Sequence, residues 1–251
     1  MCRHLAYVGP PVPLGEVVDG PPHSLFRQSW APRRQRNGTV NADGFGVGWY
    51  ADGDPVPARY RRAGPIWGDA AYQDLARVVR SGALLAAVRD ATLAGADGEA
   101  AAAPYATGSW LFSHNGAVPG WPHSLVPLAN SLPARALLTM EARCDAAFLW
   151  ALVLHRLRAG VGEAQALAET VLDVAALKPE ARLNFLLTNG ETITATAWGD
   201  TLWYRTEPGR STVVASEPYD DDPHWIEVPD RTLLAASRTD VLLTPLKEPS
   251  A

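Results

Sequence analysis

The amino-acid sequence predicts an α+β fold, in which antiparallel strands and paired helices occupy separate stretches of the chain. Short apolar, strand-like runs fill the first half, and two helical patterns follow at residues 145–159 and 162–177. From Ala181 onward the spacing of apolar residues changes from a helical to a strand period. The Asn189-Gly190 dipeptide between two of these later runs is typical of a tight hairpin turn, which favours antiparallel pairing.

The first predicted strand is the apolar run at residues 2–8, and the proline-rich segment 10–22 predicts a loop. Residues 45–50 predict a second strand. Its alternating glycines leave one face bare, so that another backbone or a ligand is able to approach closely. Residues 58–62 are expected to pair with this second strand.

A helix is predicted at residues 69–81, because apolar residues recur there at helical spacing. Asp69 suits its N-cap and Gly82 its end. The fully apolar residues 83–88 then predict a strand that carries Arg89 at its far end.

The centre of the chain shows weaker periodicity than the segments before and after it. The Ala/Gly-rich segment 95–106 predicts a flexible loop, residues 109–113 a strand, and residues 121–133 a loop with a short helix. Pro179 is expected to end the second of the two central helices. Later strands are predicted at residues 183–188, 192–198, 201–205, 213–216 and 231–237.

Length and charge limit the classes of protein to consider. A chain of 251 residues buries a sizeable core, and no linker or composition shift divides it, so we predict one domain over residues 2–251. The formal net charge of -5 gives no reason to expect a nucleic-acid partner. No uncharged apolar run approaches the roughly 20 residues that a membrane span needs.

The N-terminal residues lack the pattern of a signal peptide, and two cysteines do not make a disulfide framework. We therefore expect a cytoplasmic, disulfide-free enzyme. We expect it to use no metal or cofactor. Its oligomeric state stays open. We interpret Cys144 as a small buried hydrophobic residue.

Cys2 directly follows the initiator methionine, which cellular aminopeptidase is expected to remove from a residue this small. Cys2 would then carry a free α-amino group, with a reference pKa near ~8, beside its own thiol. One residue would thus supply a nucleophile and a general base. The alternative is a chance cysteine entering a core strand.

Four later segments accompany this cysteine in a fixed order. They are Asp43-Gly44-Phe45-Gly46-Val47-Gly48-Trp49-Tyr50, Val88-Arg89-Asp90-Ala91-Thr92, Phe112-Ser113-His114-Asn115-Gly116 and Asp145 at the head of a helix. In this order the chain resembles the class II glutamine amidotransferases, a branch of the N-terminal nucleophile hydrolases. The resemblance implies a four-layer αββα sandwich of two antiparallel sheets, and hydrolysis of a γ-glutamyl amide.

The resemblance also implies roles for individual residues. Asn115 and Gly116 would form the oxyanion hole, since an amide side chain and a glycine N–H are able to meet at one oxygen. The alternative is a second hairpin turn, although the Pro119 and Gly120 that follow make a poor return strand. His114, beside them, is a further candidate for substrate binding.

Arg89 and Thr92 would hold the α-carboxylate of a glutamyl group, and Asp145 its α-ammonium group. The alternatives are a surface arginine in a loop and an ordinary helix N-cap. Asp90 would meet a cation on the leaving group or pair with Arg89.

Two departures from the family pattern bear on the substrate. Asp90 stands where family members commonly have Trp or Ala, and Ala146-Ala147 follows Asp145 in place of a hydroxyl residue and Glu. We therefore expect the pocket beyond the glutamyl group to differ. No synthase domain is evident, which favours a hydrolase of a γ-glutamyl metabolite. A glutaminase subunit that supplies ammonia to a partner synthase and a non-catalytic γ-glutamyl-binding protein are the alternatives.

The segment at residues 25–41 is rich in arginine, at Arg27, Arg33, Arg34 and Arg36. It predicts either a solvated loop or a mobile arm that meets a substrate carboxylate.

Overall fold

The computed structural model describes residues 2–91 and 98–247, and it consists of two β-sheets with helices on their outer faces. The strands are β1 (Arg3–Pro13), β2 (Phe45–Trp49), β3 (Ala58–Arg62), β4 (Arg80–Val88), β5 (Tyr105–Thr107), β6 (Trp110–Ala117), β7 (Arg182–Thr188), β8 (Ile193–Ala197), β9 (Trp203–Glu207), β10 (Ser211–Ala215), β11 (Ile226–Glu227), β12 (Thr232–Ala236) and β13 (Val241–Pro245). The helices are α1 (Leu14–Val18), α2 (Leu25–Gln28), α3 (Ala70–Val78), α4 (Val126–Ala129), α5 (Ala134–Leu138), α6 (Asp145–Arg158) and α7 (Glu163–Leu177).

Sheet A has the strand order β11-β9-β10-β1-β4-β2-β3, and sheet B has the order β13-β12-β8-β7-β6-β5. All of these pairings are antiparallel. The strand β1 lies at the centre of sheet A, between β10 and β4, with Leu5 opposite both Ala215 and Ala86. The residue before β1, Cys2, is therefore held between two neighbouring strands.

Three apolar clusters separate four layers. One lies between the two sheets and includes Val8 and Leu85 from sheet A with Leu186 from sheet B. The second packs α1 and α3 on the outer face of sheet A, and the third packs α6 and α7 on the outer face of sheet B. The αββα layering implied by the family resemblance is confirmed. Within the described residues, no helix is long and apolar enough to cross a membrane.

The bare glycine face of β2 is covered by residues from the other side of the structure. A Cβ placed on Gly46 would overlap the carbonyl oxygen of Ala103, and one placed on Gly48 would overlap the side chain of Leu111. The two glycines thus let residues of sheet B and the segment before it approach sheet A closely.

The prediction of a loop over residues 10–22 is wrong at its start. The strand β1 continues to Pro13 past an irregularity between Val8 and Val12, and α1 follows immediately. Prolines are tolerated there because the irregular pairing does not require every backbone N–H as a donor.

The helix predicted at residues 69–81 is shorter than expected, because the end of β1 pairs with residues that follow it. Asp69 caps α3 as predicted, its side chain accepting the Tyr72 N–H, but the helix ends at Val78 and not beside Gly82. The residues beyond it pair with the end of β1, where Ser81 lies opposite Val12. Tertiary pairing therefore overrides the local helical pattern.

Other differences lie in short or weakly patterned elements. The predicted flexible loop at 95–106 contains a 3₁₀ turn, Gly98–Ala101, and the start of β5, and its first residues lie outside the described part of the chain. The elements α1, α2, α5, β11 and β13 were not predicted. The hairpin turn at Asn189-Gly190 joins β7 to β8 and is confirmed.

A buried ion pair joins β1 to the segment that follows β10, and that segment in turn holds the residues after α2. The Arg3 and Glu217 side chains are 1% and 0% exposed, and Arg3 Nη2 lies 3.9 Å from Glu217 Oε2. The same carboxylate accepts the backbone N–H of Arg33 at 2.8 Å and of Arg34 at 2.7 Å. Burial lowers the pKa of the Arg3 guanidinium, and the charge of Glu217 opposes that shift. Residues 29–44, here called the arm, are therefore anchored beside the start of β1.

Replacing Glu217 by Ala is expected to lower the free energy of unfolding by about 3–5 kcal/mol, because the buried Arg3 guanidinium loses the carboxylate with which it forms its ion pair. The two arm N–H groups also lose their acceptor. Urea unfolding followed by circular dichroism measures the change. The control is Glu207→Ala, which removes an exposed pair with Arg210 and should cost no more than about 1 kcal/mol. Equal losses in the two variants would contradict a special role for Glu217.

Candidate active site

A cavity of about 430 Å³ opens where the ends of the two sheets meet the start of α6. Its wall contains Cys2, Ala87, Val88, Arg89, Asp90, Ala91, Ala101, Ala103, His114, Gly116, Ala117, Val118, Pro119, Gly120, Trp121, Arg143, Cys144, Asp145, Ala146 and Arg182. Its volume lies within the ~300–1,000 Å³ range of small-molecule sites. Three arginines and two aspartates in one wall suit a ligand that carries charges of both signs.

Cys2 lines this cavity and is partly exposed. Burial raises the pKa of its thiol, while a backbone hydrogen bond at Asp90 and the nearby Arg89 guanidinium act in the opposite direction. A thiol whose pKa is raised needs a base to remove its proton before it attacks a carbonyl.

Arg89 and Asp90 follow β4 and form the wall on the sheet A side. The Arg89 backbone exchanges hydrogen bonds with the arm, donating to the Gly44 carbonyl at 2.8 Å and accepting from the Asp43 N–H at 2.9 Å. The Arg89 Nη1 donates to the Asp43 carbonyl at 3.2 Å, and Asp43 Oδ2 accepts the Ala91 N–H at 2.8 Å. The arm thus fixes both the backbone and the guanidinium of Arg89.

The arm supports this wall from behind and does not enter the cavity. A Cβ placed on Gly38 would overlap the Asp90 carboxylate, so only glycine allows the arm to pass so close. Two arginines of the arm contact groups outside the cavity wall. Arg33 donates to Asp221 and Pro218, and the Arg34 guanidinium lies over the Trp203 ring. The prediction that residues 25–41 meet a substrate carboxylate finds no support in this geometry, since none of them lines the cavity.

Asn115 and Gly116 lie inside β6, and neither forms a turn. Gly116 lines the cavity, and a Cβ there would overlap the carbonyl oxygen of Arg182 on the neighbouring strand. Asn115 is fully buried behind the wall, with its Nδ2 3.4 Å from Ser216 Oγ. Its Oδ1 accepts no hydrogen bond from any described residue.

Two histidines lie near these residues. His114 lines the cavity, and its Nε2 is 2.9 Å from the carbonyl oxygen of Arg182. His4 is fully buried, with Nδ1 3.1 Å from Ser113 Oγ. Burial lowers the pKa of His4 to about 3, and the charges of His114 and Arg3 act in the same direction. His4 is therefore neutral near pH 7 and adds no positive charge to the start of β1, next to Cys2.

Asp145 is the first residue of α6, whose N-cap is Cys144, so it is not itself the N-cap. Its Oδ2 accepts the Val118 N–H at 3.1 Å, and its Oδ1 accepts the N–H of Ala146 at 2.8 Å. This carboxylate thereby joins the segment after Gly116 to the start of α6, at the cavity wall.

Cys144 packs against the apolar cluster around α6 and α7, as its interpretation as a hydrophobic residue implies, but it is not fully buried. It is partly exposed, lines the cavity, and its Sγ lies 3.2 Å from the hydroxyl of Tyr105. Tyr105 itself is fully buried and does not line the cavity. The residue before it, Pro104, does not line the cavity either. The expected contribution of Thr92 lies outside the described residues.

The structure thus brings together six of the predicted site residues, Cys2, Arg89, Asp90, His114, Gly116 and Asp145. Sequence reasoning missed Arg182, Trp121 and Arg143. A signal existed for Arg182, which is the first residue of the largely apolar strand β7, much as Arg89 directly follows the apolar end of β4. Trp121 and Arg143 lie in irregular segments, where no periodicity indicates an orientation.

Comparisons with known proteins agree with this geometry. The family model described as "Glutamine amidotransferases class-II" matches residues 21–210. The chain is 43% identical over 246 residues to a gamma-glutamyl-hercynylcysteine sulfoxide hydrolase of Mycolicibacterium smegmatis, covering 98% of this chain and 100% of the relative.

Two solved structures share the fold. A glutamine aminotransferase class-II domain protein from Silicibacter pomeroyi superposes with a TM-score of 0.68 at 24% identity, over 98% of this chain and 100% of that one. The glutamine phosphoribosylpyrophosphate amidotransferase of B. subtilis gives 0.66 at 16% identity, over 98% of this chain and 49% of that one. With its ordered motifs, its layered sheets and these matches, the chain belongs to the class II glutamine amidotransferases.

Proposed function

We propose that this protein hydrolyses a γ-glutamyl amide bond through a thioester on Cys2, releasing glutamate and an amine. The observation that carries the proposal is one cavity wall with a cysteine nucleophile, the arginine Arg89 and the carboxylate Asp145. A glutamyl group presents a carboxylate and an ammonium group together, and these two side chains match that pair of charges. The substrate would be γ-glutamyl-hercynylcysteine sulfoxide, after the relative that covers the whole chain. The reaction would then belong to ergothioneine biosynthesis.

The reaction would begin when the α-amino group of Cys2 takes the thiol proton and the sulfur attacks the γ-carbonyl carbon. The Gly116 N–H and the Asn115 amide would stabilise the oxyanion, which requires Asn115 Nδ2 to turn from Ser216 toward the cavity. Collapse of this intermediate breaks the C–N bond, and the amine leaves with the proton held by the α-amino group. Water then adds to the thioester, and glutamate departs as the thiol is regenerated.

The remaining predicted residues would bind substrate. Arg89, with Thr92, would bind the α-carboxylate, and Asp145 would bind the α-ammonium group. His114 would contact the part of the substrate that lies beside Gly116. Asp90 and Trp121 would face the leaving group, whose trimethylammonium cation suits an aromatic face and a carboxylate.

We further propose that residues 2–251 act as one domain in the cytoplasm. The cluster that lies between the two sheets and is lined by both supports a single folding unit.

Mature protein is expected to lack Met1, and Cys2→Ala should abolish turnover while leaving the fold intact, because the thiol and the amine both belong to this residue. Intact mass spectrometry and thermal unfolding measure the two effects. Cys2→Ser should be much slower, since an alkoxide forms less readily than a thiolate. Cys144→Ala is the control, a second cysteine in the same wall that should retain turnover. Full activity in protein that keeps Met1 would refute the mechanism.

Arg89→Lys is expected to lower kcat/KM for γ-glutamyl substrates roughly 10- to 100-fold, because lysine keeps the charge but loses the two-pronged contact with a carboxylate. Steady-state kinetics measure the change. Arg80→Lys, at the opposite end of β4 and on the surface, is the matched control and should behave as wild type. Near-normal activity of Arg89→Lys would remove Arg89 from this role.

A γ-glutamyl conjugate with a bulky cationic leaving group should be cleaved far faster than glutamine. Ammonia fills almost none of the cavity, so glutamine forgoes contacts that strengthen in the transition state. The measurement compares kcat/KM for glutamine, a γ-glutamyl anilide and γ-glutamyl-hercynylcysteine sulfoxide. If glutamine equals or exceeds the conjugate, the protein is better described as an ammonia-supplying glutaminase. Binding without turnover of any of the three would indicate a γ-glutamyl-binding protein.

A further inference from the structure

Arg182 is a cavity residue to which the proposed reaction assigns no role. It begins β7 and lies opposite Ala117 on β6, and its side chain is 27% exposed. Its Nε donates to Asp200 Oδ2 at 3.1 Å. Within residues 2–91 and 98–247, the two terminal amino groups of the guanidinium donate to no other group, and they are not buried.

Asp200 holds this guanidinium in one orientation. Its side chain is 2% exposed, and its backbone carbonyl accepts a hydrogen bond from Asn184 Nδ2 at 3.0 Å. Burial raises the pKa of the Asp200 carboxyl, and the charge of Arg182 opposes that shift. An arginine fixed through Nε by a buried carboxylate presents its remaining N–H groups in a fork suited to a second carboxylate.

The backbone of Arg182 is adjacent to the proposed oxyanion hole. Its carbonyl oxygen accepts from His114 Nε2 and leaves room for no side chain at Gly116. Arg89 belongs to sheet A, whereas Arg182 belongs to sheet B. The wall therefore offers two guanidiniums from different sheets to one ligand.

A glutamyl group has a single free carboxylate when its γ-carbonyl forms the amide, and Arg89 accounts for it. When the leaving group is an amino acid, a second carboxylate lies one carbon away from the scissile nitrogen. That carboxylate must sit near the oxyanion hole, which is where Arg182 lies. Resting on the proposed function, we propose that Arg182 binds the α-carboxylate of a leaving amino acid and selects γ-glutamyl amino acids over simple γ-glutamyl amides.

The test uses two substrates that differ only at this group, γ-glutamylalanine and γ-glutamylalaninamide. Wild-type enzyme should prefer γ-glutamylalanine by roughly 10- to 100-fold in kcat/KM, as a charge-assisted hydrogen-bonded pair provides. The same preference should appear in the dissociation constants of Cys2→Ala protein, measured by titration calorimetry, so that slow turnover of either compound does not prevent the comparison.

Arg182→Gln should abolish this preference, mainly by weakening binding of γ-glutamylalanine, while turnover of γ-glutamylalaninamide stays within a few-fold of wild type. Glutamine keeps a donor for Asp200, which limits damage to the fold, and thermal unfolding checks that point. Arg182→Lys should restore part of the preference. Because each ratio compares two substrates on one enzyme, a general loss of structure does not change it.

Arg143→Gln is the control, since Arg143 is another arginine of the same wall. Equal rates and affinities for the two compounds in wild type, or a preference that survives Arg182→Gln, overturn the assignment. So does a preference that disappears in Arg143→Gln instead. The proposed function is tested separately by γ-glutamyl-hercynylcysteine sulfoxide, and turnover of that conjugate without any preference between the alanine compounds would refute only the role of Arg182.

Discussion

The buried contact between Glu217 and Arg3 is the interaction on which the geometry of the cavity depends. One carboxylate without solvent contact faces the guanidinium beside the nucleophile and accepts two N–H groups of the arm. A buried charge has few ways to lower its energy other than to keep these partners in place. The residue that follows Cys2 and the segment that supports Arg89 and Asp90 are consequently held by the same group.

The arm holds the cavity residues Arg89 and Asp90 in place through close contacts and hydrogen bonds. Beyond its anchored start, the arm packs Gly38 closely against the Asp90 carboxylate. Asp43 and Gly44 of the arm then exchange backbone hydrogen bonds with Arg89. Arg89 thus gains its orientation from a segment that itself never enters the cavity. A rigidly held arginine loses less conformational entropy when it binds a carboxylate, which favours affinity without additional contacts.

The two sheets divide the chemistry between them. Sheet A carries Cys2 and Arg89, while sheet B carries Gly116 and Arg182, so the scissile bond would lie across the junction of the two. Asp145 adds a negative charge from the start of α6 and fixes the segment after Gly116 through Val118. This separation of charges would suit a zwitterionic glutamyl group with a second charged group beside it.

The sequence by itself determined the α+β fold class and most strand and helix positions, because apolar periodicity and turn dipeptides act locally. Six residues of the cavity wall were predicted through the resemblance to a family and not through periodicity. The sequence also indicated the family, through motifs whose order along the chain is visible without coordinates. It did not determine the extension of β1 to Pro13, the early end of α3, the burial of Asn115, or the supporting role of the arm. It gave Arg182 no function, since that role requires β7 to lie beside β6 and Asp200 to lie under the guanidinium. These features depend on pairings between residues far apart in the chain, whose free energy exceeds local preference and leaves no periodic trace in the sequence.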